Sequence, residues 1–154
     1  MPNSPRVSGE AADLPAACNC NQLRRAARRI SRYYDLCLAG TGLRSTQYTL
    51  LGYIETEGPM TMAALAGLLA MDRATVGHNL RPIEREGLVD ITVNEKDRRA
   101  RRVSITGAGR QALMVAYPAW RRAQADFEAA FGASEAAKMR DLMVRAVETP
   151  LPGL

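Results

Sequence analysis

The chain has 154 residues, 24% of them charged, with 21 basic against 16 acidic side chains and a formal net charge of +5. That is long enough for one domain with its own core, and basic enough to suggest an anionic partner only where position concentrates the charge. No apolar run approaches the roughly 18 residues that span a bilayer, two Phe and one Trp are too few for an aromatic single-strand platform, and three cysteines make no even disulfide framework.

Residues 1–17 are rich in Pro, Ser, Gly and Ala and predict a disordered tail. Up to Pro15 there is no positive flank followed by an apolar core, so this stretch does not read as a secretory leader. With the cysteine count, that points to a reducing cytoplasm. A first helix is predicted over about 19–39. Leu23, Ala26, Ile30, Tyr33 and Cys37 recur at steps of three and four and define one apolar stripe. Arg24, Arg25, Arg28, Arg29 and Arg32 mostly occupy the other faces, and Gly40-Thr41-Gly42 ends the helix.

Ser45 or Thr46 is the expected cap of a second helix running to about Glu57, with Tyr48, Leu51 and Ile54 inward. Gly58-Pro59 breaks it. Thr61 caps a short third helix holding Leu65, Leu68 and Leu69, Met71 fills the turn, and Asp72 caps a fourth helix. There Val76, Leu80 and Ile83 share one face and Gly87 is the stop. Pro82 removes one backbone donor and predicts a kink after Arg81, although the apolar spacing crosses it unbroken. Val89, Ile91 and Val93 then alternate, as do Val103 and Ile105, around a polar loop from Asn94 to Ala100. This is a hairpin with a long charged tip, a wing.

Thr106 caps a long fifth helix to about Phe131, striped by Leu113, Ala116, Trp120, Ala123, Phe127 and Ala130. Pro118 is expected to bend it and Gly132 to stop it. Ser134 is the expected cap of a last helix, whose apolar face is Met139, Leu142, Met143 and Ala146. A helix of more than twenty residues exceeds 30 Å, longer than so small a winged core covers. Burying the stripes of the first, fifth and sixth helices against a second copy resolves this, and a homodimer follows. Its twofold axis would present two reading heads to a pseudo-palindromic site.

A helix-turn-helix followed by an arginine-tipped hairpin suits duplex DNA: one element enters the major groove and the other reaches an adjacent minor groove. Nearly all the basic residues are arginine, whose planar fork fits phosphates and guanine edges. On the fourth helix, the face opposite Val76, Leu80 and Ile83 carries Ala74, Thr75, His78 and Arg81, flanked by Arg73 and Gly77. The DNA-contacting candidates are therefore Arg73, Thr75, His78 and Arg81, with Arg98 and Arg99 at the wing tip and Arg101 beside it. Taken singly, His78 is as well explained as a surface histidine, and Arg99 as the partner of Asp97. There is no Gly-rich phosphate loop, no histidine beside a nucleophile and no apolar carboxylate pair, so no enzyme is expected. No metal or other cofactor is expected either: Cys18-x-Cys20 is too tight for a structural zinc, and His78 is the sole histidine.

Asp97-x-Arg99 through Ile105-Thr106, Gly42-Leu43 through Gln47-Tyr48, and Asp72-Arg73-Ala74-Thr75-Val76 through Glu84-Arg85-Glu86-Gly87-Leu88-Val89 together resemble the multiple-antibiotic-resistance regulator (MarR) family. The likeness runs from Cys20 to the last helix, and Pro82 departs from the commoner pattern. It implies a mainly α fold with a small β-hairpin wing, a winged helix-turn-helix core over 45–106 and dimerisation helices over 18–41 and 106–148, all within one domain over 18–154. It also implies a dimer on operator DNA, usually a repressor, released by an effector bound between the dimerisation helices and the winged core.

Two effector classes fit. Cys20 precedes Tyr34 by fourteen residues, which is similar to the organic-hydroperoxide-sensing branch, where a cysteine is oxidised and a tyrosine hydrogen-bonds it. In this chain the second tyrosine of that branch is replaced by Arg24, and the C-terminal half has no cysteine. The alternative is a small aromatic or apolar ligand among Tyr33, Tyr34, Tyr48, Tyr53, Tyr117 and Trp120, residues that ordinary packing also explains. A different class altogether, a non-specific architectural DNA binder, would show affinity nearly independent of sequence.

Overall fold

The computed structural model describes residues 15–93 and 100–153. Most of the expected tail, 1–14, and the wing-tip residues Arg98 and Arg99 lie outside the described residues. The chain clusters into two compact units, Met1–Tyr33 and Tyr34–Leu154.

In the first unit, a 3-10 turn over Pro15–Ala17 leads into helix α1 (Asn19–Leu38), whose last residues belong to the second unit. Residues 15–17 are thus structured, contrary to the reading of 1–17 as disordered. The reason is local. Asn21 Nδ2 donates to the Pro15 carbonyl at 2.9 Å and Gln22 Nε2 to the Ala16 carbonyl at 2.6 Å. The Cys18 sulfur receives the Asn21 backbone N–H at 3.5 Å, satisfying one of the orphan donors of the helix start.

The second unit holds α2 (Ser45–Glu57), β1 (Met60–Thr61), α3 (Met62–Leu68), α4 (Arg73–Arg85), β2 (Val89–Val93), β3 (Arg101–Ile105), α5 (Gly107–Phe131) and α6 (Ala133–Glu148). The strands form an antiparallel sheet in the order β1-β3-β2, with Ile91 opposite Val103 and Thr92 opposite Arg102. Strand β1 was not foreseen; it adds Met60 opposite Val103 and Thr61 opposite Arg102 on the free edge of β3.

The core lies where these elements converge. Leu50, Leu51 and Ile54 of α2, Leu65 of α3, and Val76, Leu80 and Ile83 of α4 are buried with Val89, Val103 and Ile105 of the sheet. Leu38 and Leu43 close one side, and the small Ala116 and Ala119 of α5 pack against the same cluster. Most of the buried residues are those picked out by the 3.6- and 2-residue periods, but Leu68 and Val93 are exposed, as are Leu23 of α1 and Leu142 and Met143 of α6.

Two caps differ from expectation. Helix α2 is capped at Arg44, not at Ser45 or Thr46. The Arg44 N–H goes to Gln47 Oε1 at 2.9 Å, and the Ser45 N–H goes to the Asp35 carboxylate of α1 at 2.7 Å. A carboxylate reaching a helix N-terminus both accepts an orphan N–H and meets the positive end of the dipole. Helix α6 is capped at Gly132, not Ser134. Gly132 (φ +99°) takes the Ala136 N–H on its carbonyl and gives its own N–H to Glu128, so one residue ends α5 and begins α6.

Helix α4 runs unbroken through Pro82 to Arg85. It closes through the Leu88 N–H on the Ile83 carbonyl (2.8 Å) and the Gly87 N–H on the Glu84 carbonyl (2.9 Å), with Gly87 at φ +71°. Helix α5 likewise continues through Pro118.

A clasp joins the start of α5 to this turn. The Thr106 hydroxyl donates to the Gly87 carbonyl at 2.7 Å and accepts the Gly109 N–H at 3.0 Å, while the Thr106 N–H goes to the Leu88 carbonyl at 3.0 Å. Gly109 is buried against the Leu88 carbonyl and the Ile105 side chain, a gap too small for any Cβ.

Candidate nucleic-acid interface

The helix-turn-helix is α3, a tight turn and α4. The turn closes through the Met71 N–H on the Ala66 carbonyl (2.9 Å) and places Ala70 at φ +49°. Thr61 and Asp72 cap the two helices as the sequence indicated: the Thr61 hydroxyl takes the Ala64 N–H at 3.1 Å and Asp72 Oδ1 the Thr75 N–H at 2.8 Å. With Val76, Leu80 and Ile83 locked in the core, α4 has one rotational setting, and that setting turns Arg73, Ala74, His78 and Arg81 to solvent.

Among the described residues, none of Arg73, His78 and Arg81 has a carboxylate partner. Their donors are therefore uncommitted. Thr75 is different: its hydroxyl donates to Asp72 Oδ2 at 2.7 Å, so its proton serves the cap and only its acceptor side is open to a base or phosphate. Gly77 is half-buried, and its face looks toward Met62 of α3 rather than standing beside the exposed side.

In the wing, Arg101 is exposed and pairs with Val93 at the outer end of the strands, on the same strand face as Val103 but beyond the buried core. Arg102 lies on the opposite face between Thr92 and Thr61.

The Asp72 carboxyl is held below its ordinary 3.8, first by the Thr75 hydroxyl and then by the Thr75 N–H. A depressed pKa means the cap contributes above the ordinary value and is lost as pH falls through the lower folded one. We expect the first turn of α4 to loosen only below pH 3.8. The Thr75 amide resonance should titrate with a midpoint under that value and should lose the transition in Asp72→Asn; a midpoint at or above 3.8 would contradict the cap.

The tentative effector residues separate. Tyr48 stacks on Trp120 (centroids 5.6 Å) and Trp120 on Tyr117 (6.0 Å), with the Arg121 guanidinium 6.0 Å from the Tyr117 ring. Burial, then Tyr117, pushes the Tyr48 hydroxyl above its ordinary value. Tyr53 is exposed and takes no part in the stack.

Tyr34 donates its hydroxyl proton to Gln124 Oε1 at 2.6 Å. Gln124 Nε2 donates to Glu128 Oε1 at 2.9 Å, and Arg140 donates to the same oxygen at 2.8 Å. This chain across α1, α5 and α6 was not anticipated. Burial, then the Glu128 charge, raises Tyr34, while hydrogen bonds from Gln124 and Arg140 lower Glu128. Cys20 and Cys18 are both exposed, and it is Cys18 whose sulfur meets the helix start. Only the short spacing between a thiol and the first helical N–H groups hinted at that role.

Among the described residues no helix is long and apolar enough to cross a membrane. A family model described as the MarR family matches residues 41–100, the segment from the end of α1 to the wing. The structure of the M. tuberculosis transcriptional regulator MosR in complex with DNA is 34% identical, with 85% of this chain and 94% of that one covered and a TM-score of 0.77. A probable transcriptional regulator from Pseudomonas aeruginosa is 27% identical over 86% of this chain and 99% of its own, with a TM-score of 0.75. YwaE of Bacillus subtilis (strain 168), an uncharacterized HTH-type transcriptional regulator, is 25% identical over 118 residues, 76% of this chain and 69% of its own. On the winged helix-turn-helix, its wing and these similarities, the chain belongs to the MarR family of DNA-binding transcriptional regulators.

Proposed function

We propose that the protein is a homodimeric repressor that binds a pseudo-palindromic operator in the cytoplasm and leaves it when an effector acts. The observation that carries this reading is the exposed face of α4. Three uncommitted donors, Arg73, His78 and Arg81, stand on a helix whose other face is buried, and rigid presentation is what base readout needs. Thr75 contributes its acceptor side, Arg98 and Arg99 at the wing tip enter the minor groove, and Arg101 meets the adjoining backbone.

The dimer is supported by apolar surface that one copy leaves bare. Leu142, Val144 and Val147 of α6, with Met114 and Val115 of α5, are each more than half exposed. A second copy covers them by the same patch.

The effector reading follows the aromatic stack. Tyr48, Trp120 and Tyr117 bring flat apolar faces together on α2 and α5, and a small aromatic ligand suits that surface. Tyr34 and Tyr53, the other residues expected at the effector site, take no part in that stack. Oxidation at Cys20 is the second reading, favoured by the exposure of its thiol in the first turn of α1.

Fluorescence anisotropy on the DNA upstream of the protein's own gene, against a scrambled duplex, tests all three levels. Tight binding with a preference of about a thousandfold supports a specific regulator; no preference leaves an architectural binder. Release by organic hydroperoxide that thiol reverses and Cys20→Ser abolishes supports redox control. Release by small aromatic acids, lost in Trp120→Ala, supports the ligand reading.

A further inference from the structure

The charge of this protein is concentrated in one place. Of 21 basic residues, five are Arg24, Arg25, Arg28, Arg29 and Arg32; without them 16 basic residues face 16 acidic ones and the remainder is neutral. The whole excess of +5 therefore sits on nine consecutive positions of α1, in the first compact unit. No acidic residue lies between Asn19 and Tyr34. All five side chains are exposed, and among the described residues none has a carboxylate partner; Arg25 donates only to Gln22 Oε1, at 3.3 Å.

At about 100° per residue, the five arginines fill one sector of roughly 140° along about 12 Å of helix. Leu23, Ile30 and Tyr33 fall outside that sector, so the arginines are not interleaved with the apolar anchors of a membrane-surface helix. A second copy of the chain is not the complement either: residues 34–154 carry 15 basic against 14 acidic side chains. What matches a bare row of guanidinium groups is an external row of regularly spaced anions, and arginine forks onto phosphate oxygens in pairs.

We propose that the arginine face of α1 is a second DNA-binding surface, taking the phosphate backbone of duplex DNA and supplying much of the charge-dependent affinity of the protein. The proposal rests on the DNA-binding reading above but assigns a surface that the helix-turn-helix and the wing do not include. The division of labour is physical. The uncommitted donors of α4 discriminate bases, while α1 adds attraction indifferent to sequence.

Each phosphate neutralised by a protein cation steepens the fall of log K with log salt by about 0.9. The experiment compares the wild type with Arg24→Gln/Arg28→Gln/Arg32→Gln by anisotropy across a salt series, on a long duplex carrying the upstream DNA and on a scrambled duplex of equal length. The variant is expected to keep the wild-type circular dichroism and the ratio of specific to scrambled affinity. Its salt dependence should flatten by about 2–3 per protomer on both duplexes. Lysine at the same three positions (Arg24→Lys, Arg28→Lys, Arg32→Lys) should restore most of the slope, which separates loss of charge from damage to the helix.

Parallel salt lines for wild type and glutamine variant would overturn the proposal, as would a lysine variant as flat as the glutamine one. Failure of the regulator reading looks different: the wild type itself would show no preference for the upstream duplex, while the slopes would still decide the role of α1.

Discussion

Arg81→Ala is expected to weaken binding to the operator by about tenfold to a hundredfold and to relax the preference at one base position in each half-site. Helix phase fixes where this side chain stands. Val76, Leu80 and Ile83 are fully buried, which leaves α4 no freedom to rotate about its axis. Arg81 stands on the opposite side, exposed, one turn beyond Gly77 and without a carboxylate partner among the described residues. An unpaired guanidinium on a fixed helix loses little on docking and can fork onto guanine O6 and N7. Competition anisotropy against a panel of single-base operator variants makes the test. A loss equal across all sequences would reassign Arg81 to a phosphate, and an unchanged affinity would remove it from the interface. The thermal midpoint should not move, because the side chain is exposed.

Gly109→Ala is expected to destabilise the fold by about 3 kcal/mol, which for a chain of this size lowers the midpoint by about 10 °C. A Cβ at this position would run into the Leu88 backbone carbonyl and come within 2.6 Å of Ile105 Cγ1. A carbonyl cannot swing aside as a flexible side-chain end can, and this one already accepts the Thr106 N–H. Relief requires the first turn of α5 to lift from the α4–β2 turn. Gly107→Ala is the control: it sits two residues away in the same helix with nothing within 4 Å of the added methyl. Its effect should be small, within about 1 kcal/mol and on the stabilising side. Equal midpoints for the two variants would show that the close approach at Gly109 does not hold in solution.

What was legible beforehand follows from the range of the interactions. The elements were readable where a period and its punctuation lie together in the chain: α4 between Asp72 and Gly87, α5 from Thr106 to Gly132, and β2 and β3 as alternating runs. The exposed face of α4 was readable too, because it is what the buried stripe leaves over. The missed features depend on groups brought from elsewhere. Asp35, ten positions upstream, displaces Ser45 as the polar partner at the start of α2. Strand β1 has two residues, too few to show any period, and exists because β3 has a free edge. The Tyr34–Gln124–Glu128–Arg140 chain joins three helices, and its first link alone spans ninety residues of sequence, with no local pattern to announce it. Thr75 was correctly placed on the outer face, but the hydrogen bond that engages its hydroxyl depends on the rotamer of Asp72, which composition does not reveal.

The clasp at Thr106 has a mechanical meaning. Helix α5 is about 37 Å long at 1.5 Å per residue, and its first turn is fastened to the carbonyls of Gly87 and Leu88, the residues that end α4 and open the wing. Helix α5 is therefore a beam riveted at one end to the reading head. A displacement of α5 near Trp120 or Gln124 would reach α4 and the wing through this one joint. On the proposed reading of α4 and the wing as the DNA contacts, both are fastened to α5 at one joint, so the two contacts would be made and broken together.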